Sequence, residues 1–325
     1  MSESGRSRSS VSAVEGVILL DKPAGISSNA ALQSVRRLFD RPKAGHTGTL
    51  DPLATGLLAI CLGETTKFAG VSLVADKTYQ AALRLGVATS TGDAAGDTVF
   101  EGPLEGCLER LPAVLVGFRG EFEQLPPMFS ALKHKGQPLY KYARAGTEVE
   151  RSPRRVSVHR LDVLSASIQE VTIEVWCSKG TYIRTLAHDI GMQLGCGAHL
   201  ATLRRTRIGE LDVRDALTLD GLALLPLPQR IKQIWPSDLI LGDLPAVGLD
   251  AQSAAAVMQG RTVQAAPGMP RGTVRLYDEE GGFLGLGFAE EAGRVVPKRM
   301  CSRRLPGIAQ TGRILLERSA AQSLK

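Results

Sequence analysis

What most constrains this chain is the order in which two apolar periodicities follow one another. Strand-like stretches run from Glu15 to Leu20, from Leu57 to Leu62 and from Lys77 to Val87. Val156 and Val158 mark a further one, and Val171, Ile173, Val175 and Cys177 line one face of the next. Helical spacing marks Ala30 to Phe39, Leu104 to Phe118 and Tyr182 to Leu194. Side chains two apart share a strand face and those three or four apart share a helix face, so each pattern buries one side of one element type. Strands and helices mix without the regular alternation of a doubly wound parallel sheet. An α+β fold is expected.

At 325 residues, with 43% hydrophobic and 22% charged residues, the chain has material for a sizeable core and about two domains. Prolines crowd Leu222 to Pro245, after which the pattern restarts: a helix over Ala251 to Met258, then glycine-punctuated strands such as Gly272 to Tyr277 and Phe283 to Phe288. A small β-rich second domain is expected there. Residues 1–14 are rich in Ser and Arg, contain no apolar segment, and read as a disordered tail. The five cysteines are scattered and form no C-x-x-C pair, which suggests neither a disulfide framework nor a zinc site. No stretch is apolar over the length a bilayer demands. A soluble, cytoplasmic protein is the expectation.

The densest chemical signal is Gly45-His46-Thr47-Gly48-Thr49-Leu50-Asp51-Pro52-Leu53-Ala54-Thr55-Gly56, with three glycines and three threonines in twelve residues. Such a segment bends tightly and exposes backbone N–H groups. Asp51 precedes a proline, which disfavours the helical region for its predecessor and holds it extended. Two readings follow: a carboxylate presented rigidly to a ligand, or a structural turn in which Asp51 caps Leu53 to Leu58. A phosphate-binding loop is a poorer reading, because the G-x-x-x-x-G-K-[ST] spacing is absent.

The net charge of +6 says less than its distribution. Lys133, Lys135, Lys141, Arg144, Arg151, Arg154, Arg155 and Arg160 fall in one span, with His134, Tyr140 and Tyr142 among them. Arg184, Arg204, Arg205, Arg207 and Arg214 form a second group. Basic residues interleaved with aromatics suit phosphate contacts and base stacking, although a solvated face has the same composition. An enzyme acting on a base in folded RNA must flip it out and hold it between aromatic or apolar surfaces. Tyr79, Tyr182 and an apolar side chain in the run Leu203-Arg204-Arg205-Thr206-Arg207 are candidates to hold it, and His46 to fill the vacated space.

At these residues the chain resembles the TruB family of tRNA pseudouridine-55 synthases. The twelve-residue segment is similar to that family's signature. Further similar blocks follow in the same order: Leu20 to Gly25, Asp76-Lys77-Thr78-Tyr79, Leu85-Gly86 with Asp93, Gln124 to Pro127 with Ser130-Ala131, and Lys179 to Arg184. The resemblance covers Gly16 to about Leu305. It implies a mixed, largely antiparallel sheet flanked by helices over residues 15–240, and a small β-barrel of the RNA-binding PUA type over 245–316. It implies isomerisation of a T-loop uridine in tRNA, with Asp51 as nucleophile, Tyr79 stacked on the base and placed for proton abstraction, and Arg184 paired with Asp51. His46 would fill the space of the flipped nucleotides, Tyr182 and Leu203 complete the uridine pocket, and Lys67 support the site. Residues 124–155 would form a thumb on the T-arm, with Lys133, Lys141, Arg151, Arg154, Arg204 and Arg205 on the RNA backbone. No cofactor, metal, guide RNA or obligate protein partner is implied, and a monomer suffices. The rival is a non-catalytic RNA-binding or RNA-folding protein on the same scaffold.

Overall fold

The computed structural model describes residues 14–265, 269 and 271–308. The expected tail therefore lies, but for Val14, outside the described residues, as does the end of the 245–316 region. Ten strands build the main sheet: β1 (Gly16–Lys22), β2 (Ala44–His46), β3 (Thr55–Leu62), β4 (Lys77–Leu85), β5 (Gly120–Gln124), β6 (Arg154–Ala166), β7 (Glu170–Cys177), β8 (Ala198–Ile208), β9 (Leu211–Asp212) and β10 (Leu217–Thr218). Their order is β10-β1-β3-β8-β4-β7-β6-β5, with β2 beside β3 and β9 beside β8. Neighbours are antiparallel except β1 with β10 and β3 with β8.

Four of the helices matter to the site: α1 (Ser28–Leu38), α2 (Cys107–Val116), α3 (Leu139–Arg144) and α4 (Ile183–Leu194). The Ser27 hydroxyl caps α1 by accepting from the Ala30 N–H at 3.1 Å, and Gly195 at φ +80° closes α4. The strand expected over Lys77 to Val87 stops at Leu85 because Gly86 turns the chain at φ +95°. Val87–Thr89 then pairs with Thr98–Glu101 in a separate hairpin.

Val17 to Leu20 of β1 and Leu57 to Leu62 of β3 are apolar runs because both of their faces are covered. Ile18, Leu20, Leu58, Ile60 and Leu62 pack on Ala31, Leu32 and Val35 of α1. Val17, Leu19, Leu57, Ala59 and Cys61 face the other way. In the other half of the sheet, Ala81, Leu83, Leu85, Ile173, Val175, Cys177 and Leu200 bury against Leu111 and Leu115 of α2 and Ile183, Leu186, Ile190 and Leu194 of α4. Each fully buried aliphatic side chain of this kind contributes about 1.5–3 kcal/mol.

A second, five-stranded sheet is built from β11 (Ala246–Gly248), β12 (Val263–Gln264), β13 (Gly272–Tyr277), β14 (Phe283–Ala289) and β15 (Arg294–Leu305), in the order β11-β13-β14-β15-β12. The expected small barrel is a curled half-barrel, whose end strands β11 and β12 do not pair among the described residues. It is fused to the back of β1 and β3 through one apolar cluster that includes Phe68, Ile240, Tyr277, Phe283, Leu286 and Leu305. The Phe68 and Phe283 rings meet edge to face at 5.2 Å. Among the described residues no helix is long and apolar enough to cross a membrane.

Candidate active site

β3 and β8 run parallel at the middle of the main sheet, where Thr55 and Gly56 lie beside Arg204 and Arg205. The glycine- and threonine-rich segment arrives at this junction and is tied down on both sides. The Leu50 N–H donates to the Ser28 hydroxyl at 2.8 Å, that hydroxyl donates back to the Leu50 carbonyl at 2.9 Å, and the Gly25 N–H donates to the Pro52 carbonyl at 2.8 Å. Leu50 and Ala54 are buried in the core beneath it. Thr55 to Leu62 is strand, so no helix follows for Asp51 to cap, although the Ala54 N–H closes a turn on the Asp51 carbonyl at 3.1 Å.

Asp51 instead meets Arg184 in the first turn of α4, with Arg184 Nε at 2.9 Å from Asp51 Oδ2. The same Nε lies 3.8 Å from Asp93 Oδ2. The Arg184 Nη atoms donate to the Thr91 carbonyl at 3.0 Å and the Phe129 carbonyl at 2.6 Å. The guanidinium is fixed on every side, and 35% of the Asp51 side chain stays open to an approaching ligand. Charge pairing with Arg184 favours the ionised carboxylate, but burial outweighs it. Desolvation raises the Asp51 carboxyl above its ordinary value, Arg184 and then Lys22 pull it down, and Asp93 adds to the rise.

Tyr79 stands on β4 directly opposite Val175 and packs against the same core as Leu203, itself 7% exposed. Burial pushes the Tyr79 phenol up, as it does that of Tyr182. Tyr182 caps α4 and is clasped by Gln124, whose amide donates to the Tyr182 carbonyl at 3.0 Å while its oxygen accepts from the Tyr182 N–H at 2.8 Å. His46 on β2 has its basicity lowered first by burial and then by Arg205, which leaves a neutral imidazole at neutral pH. Its Nδ1 is buried without a hydrogen-bond partner among the described residues.

Three expected residues are placed elsewhere or differently. Lys67 does not reach the site: its ammonium pairs with Glu64 at 2.6 Å and donates to the Met300 carbonyl at 3.3 Å, at the seam with the second sheet. Arg205 cannot touch an RNA backbone, because it is 1% exposed beneath the signature segment. Arg204 is half-buried and spends both Nη groups on Asp21, at 2.9 and 2.7 Å. Of the thumb residues, Lys133, Lys141 and Arg154 are exposed and in no ion pair among the described residues. Arg151 is half-buried, donating to the Pro126 carbonyl at 3.0 Å and pairing with Glu148. Arg154 lies close enough to Tyr182 to bias its phenol electrostatically.

The residue that sequence reasoning left without a role is Lys22. It is fully buried, donates to the Pro23 and Ile26 carbonyls at 2.8 Å each, and feels Asp51. Burial lowers its ammonium to about 8. The signal lay in Lys22-Pro23-Ala24-Gly25, a lysine that closes an apolar strand which is covered on both faces.

The chain is similar to known proteins over most of its length. A family model described as TruB family pseudouridylate synthase (N terminal domain) matches residues 36–183, and two models of TruB C-terminal regions match 184–230 and 245–301. A tRNA pseudouridine synthase B of Aromatoleum aromaticum is 52% identical over 289 residues, spanning 89% of this chain and 93% of that protein. One from Azoarcus sp. (strain BH72) is 52% identical over 287 residues, 88% and 95% of the two chains. A solved H/ACA ribonucleoprotein bound to a substrate RNA containing 2'-deoxyuridine superposes with a TM-score of 0.67 at 27% identity, over 88% of this chain and 84% of that one. A solved archaeal box H/ACA Nop10-Cbf5 complex gives 0.66 at 27% identity, over 89% and 85%. With half of its residues shared over nearly its whole length, the chain belongs to the TruB family of pseudouridylate synthases.

Proposed function

We propose that this chain converts a uridine in the T-loop of tRNA, at position 55, to pseudouridine, with Asp51 as the nucleophile. The observation that carries the reading is the Asp51–Arg184 pair at 2.9 Å, with the carboxylate open on one side and Tyr79 and Leu203 in the core beside it. The N-glycosidic bond is broken, the uracil turns while held, and carbon 5 is joined to the ribose. Asp51 gives the sugar a covalent foothold at its anomeric carbon. Tyr79 accepts the proton from carbon 5 of the new C-glycoside. Arg184 holds the carboxylate in place and favours its ionised, reactive form. Tyr182, Leu203 and neutral His46 enclose the flipped nucleotide, and Lys133, Lys141 and Arg154 meet T-arm phosphates. The relatives at 52% identity, named for tRNA, favour action on tRNA without a guide RNA over the arrangement in the more distant H/ACA complexes, and the chain acts without an obligate protein partner, as a monomer.

Asp51→Asn is expected to abolish turnover, read as tritium release from tRNA carrying 5-tritiated uridine. tRNA affinity should stay within about tenfold, because phosphate contacts dominate it. Retained turnover by the purified variant would remove Asp51 from this role. The rival, a pure RNA-binding or RNA-folding protein, has no chemical need for Asp51, Tyr79 and Arg184 together.

A further inference from the structure

Arg205 is the feature that this mechanism leaves unexplained. It sits in the β4–β8 ladder directly opposite Tyr79, so the two side chains stand on one face about 5 Å apart at their Cβ atoms. Its Nε donates to the Leu57 carbonyl at 2.8 Å and its Nη2 to the Gly48 carbonyl at 3.3 Å, which carries the guanidinium to the signature segment. Among the described residues no carboxylate forms an ion pair with it. A buried cation without a counter-ion is costly. A neutral amide can serve two carbonyls at a lower desolvation cost. What a neutral side chain cannot supply is positive potential at the Tyr79 hydroxyl.

We propose that Arg205 is the positioning residue for proton removal: its guanidinium, lodged between the signature segment and Tyr79, stabilises the phenolate that takes the carbon-5 proton. The inference rests on Tyr79 being the base. Burial, Cys177 on β7 and Asp51 in the signature segment all disfavour a phenolate, and Arg205 is the cation that opposes them, by its charge and by hydrogen bonding. The same charge lowers the basicity of Lys22 on β1, His46 on β2 and Lys77 on β4, the other titratable groups around it. In the step itself the proton leaves carbon 5 for the Tyr79 oxygen. The C5–H pair becomes the C5=C6 double bond, the N1=C6 pair moves onto N1, and N1 takes up one proton. No oxidant or reductant enters.

The test compares Arg205→Gln, Arg205→Lys and Tyr79→Phe in single turnovers, on tRNA transcripts with uridine or 5-deuterouridine. Arg205→Gln keeps donors and loses the charge. It should slow conversion about tenfold for each unit by which the phenol rises, keep gaining rate at pH values where the wild type has levelled off, and show a larger isotope effect. Arg205→Lys keeps the charge with a poorer fit, and should retain the wild-type pH profile and isotope effect. Equal slowing of both variants, with profile and isotope effect unchanged, reduces Arg205 to a structural tie and overturns the proposal. If Arg205→Gln does not fold, Arg205→Lys decides alone: a raised isotope effect despite the retained charge overturns it. A wild-type rate and isotope effect in Tyr79→Phe would mean instead that the base itself was misassigned.

Discussion

Adding one methyl group at Gly56 should damage this enzyme more than its size suggests. Gly56 opens β3 at φ +100°, a backbone region costing an L-residue about 1–2 kcal/mol. A Cβ there would lie 2.2 Å from the Arg205 carbonyl oxygen and 2.8 Å from the Arg205 nitrogen. Both are backbone atoms of a strand locked into ladders on each side, so β8 must move by about an ångström; such overpacking costs a further 1–3 kcal/mol or so. Gly56→Ala should therefore lose about 2–5 kcal/mol in urea unfolding. Gly25 supplies the control, since its φ is +84° and a Cβ there meets nothing within 4 Å. Gly25→Ala should show the dihedral cost alone. Because the displaced residue is Arg205, the folded fraction of Gly56→Ala should also lose turnover, while folded Gly25→Ala loses less. Equal midpoints for the two variants would refute the argument that the close approach to β8 is what requires glycine at 56.

Two further outcomes follow from charge. Glu64 is held at about 2, below its ordinary 4.5, first by the Lys67 hydrogen bond and then by the Ser302 N–H. A depressed carboxyl stabilises the fold above its unfolded value and loses that contribution as pH falls towards the folded one. With partial exposure the effect is about 1–2 kcal/mol. Glu64→Gln should lower the urea midpoint at pH 7 and flatten its decline between pH 4.5 and 2, and a curve superimposable on the wild type would count against the seam. Replacing Lys133, Lys141 and Arg154 together by Ser should weaken tRNA binding and reduce the slope of log affinity against log salt, read by filter binding. An unchanged slope would place the RNA elsewhere.

Much of this was legible before any coordinates. The alternation at Val171, Ile173, Val175 and Cys177 gave a strand with those four buried, and helical spacing found α1 and α4 to within two residues. Such patterns are local, and burial of one face enforces them. The misplaced residues share a cause: their neighbours come from far along the chain. Arg205 was read as part of a basic run, where charge suggests a surface. Strand alternation put it on the face of Leu203, and the signature segment, whose Gly48 carbonyl accepts from its guanidinium, then covered it. Lys67 was carried over from a resemblance, but its partner Met300 is 233 residues away. Asp51 and Arg184 meet across more than a hundred residues too, and only the family resemblance made that pair visible.

The buried cations give the site a common construction. Among the described residues Lys22, Lys77, Arg184 and Arg205 are the buried basic side chains, and each donates to backbone carbonyls of segments that are largely irregular. Lys22 ties Pro23 and Ile26, Lys77 ties Leu73 and Ala75, Arg184 ties Thr91 and Phe129, and Arg205 ties Gly48 and Leu57. Loop carbonyls brought into a core have no ladder to complete and need donors. A long cationic side chain from a strand or helix can supply several donors from one residue. Lys22 and Arg184 also bring positive charge to Asp51, and Arg205 brings it to Tyr79. All four side chains therefore hold the loops, and three of them, Lys22, Arg184 and Arg205, also set the field at Asp51 and Tyr79. Truncating Lys22, Arg184 or Arg205 should therefore alter rate and stability together, truncating Lys77 should alter stability, and changes at Lys133 or Lys141 should alter binding alone.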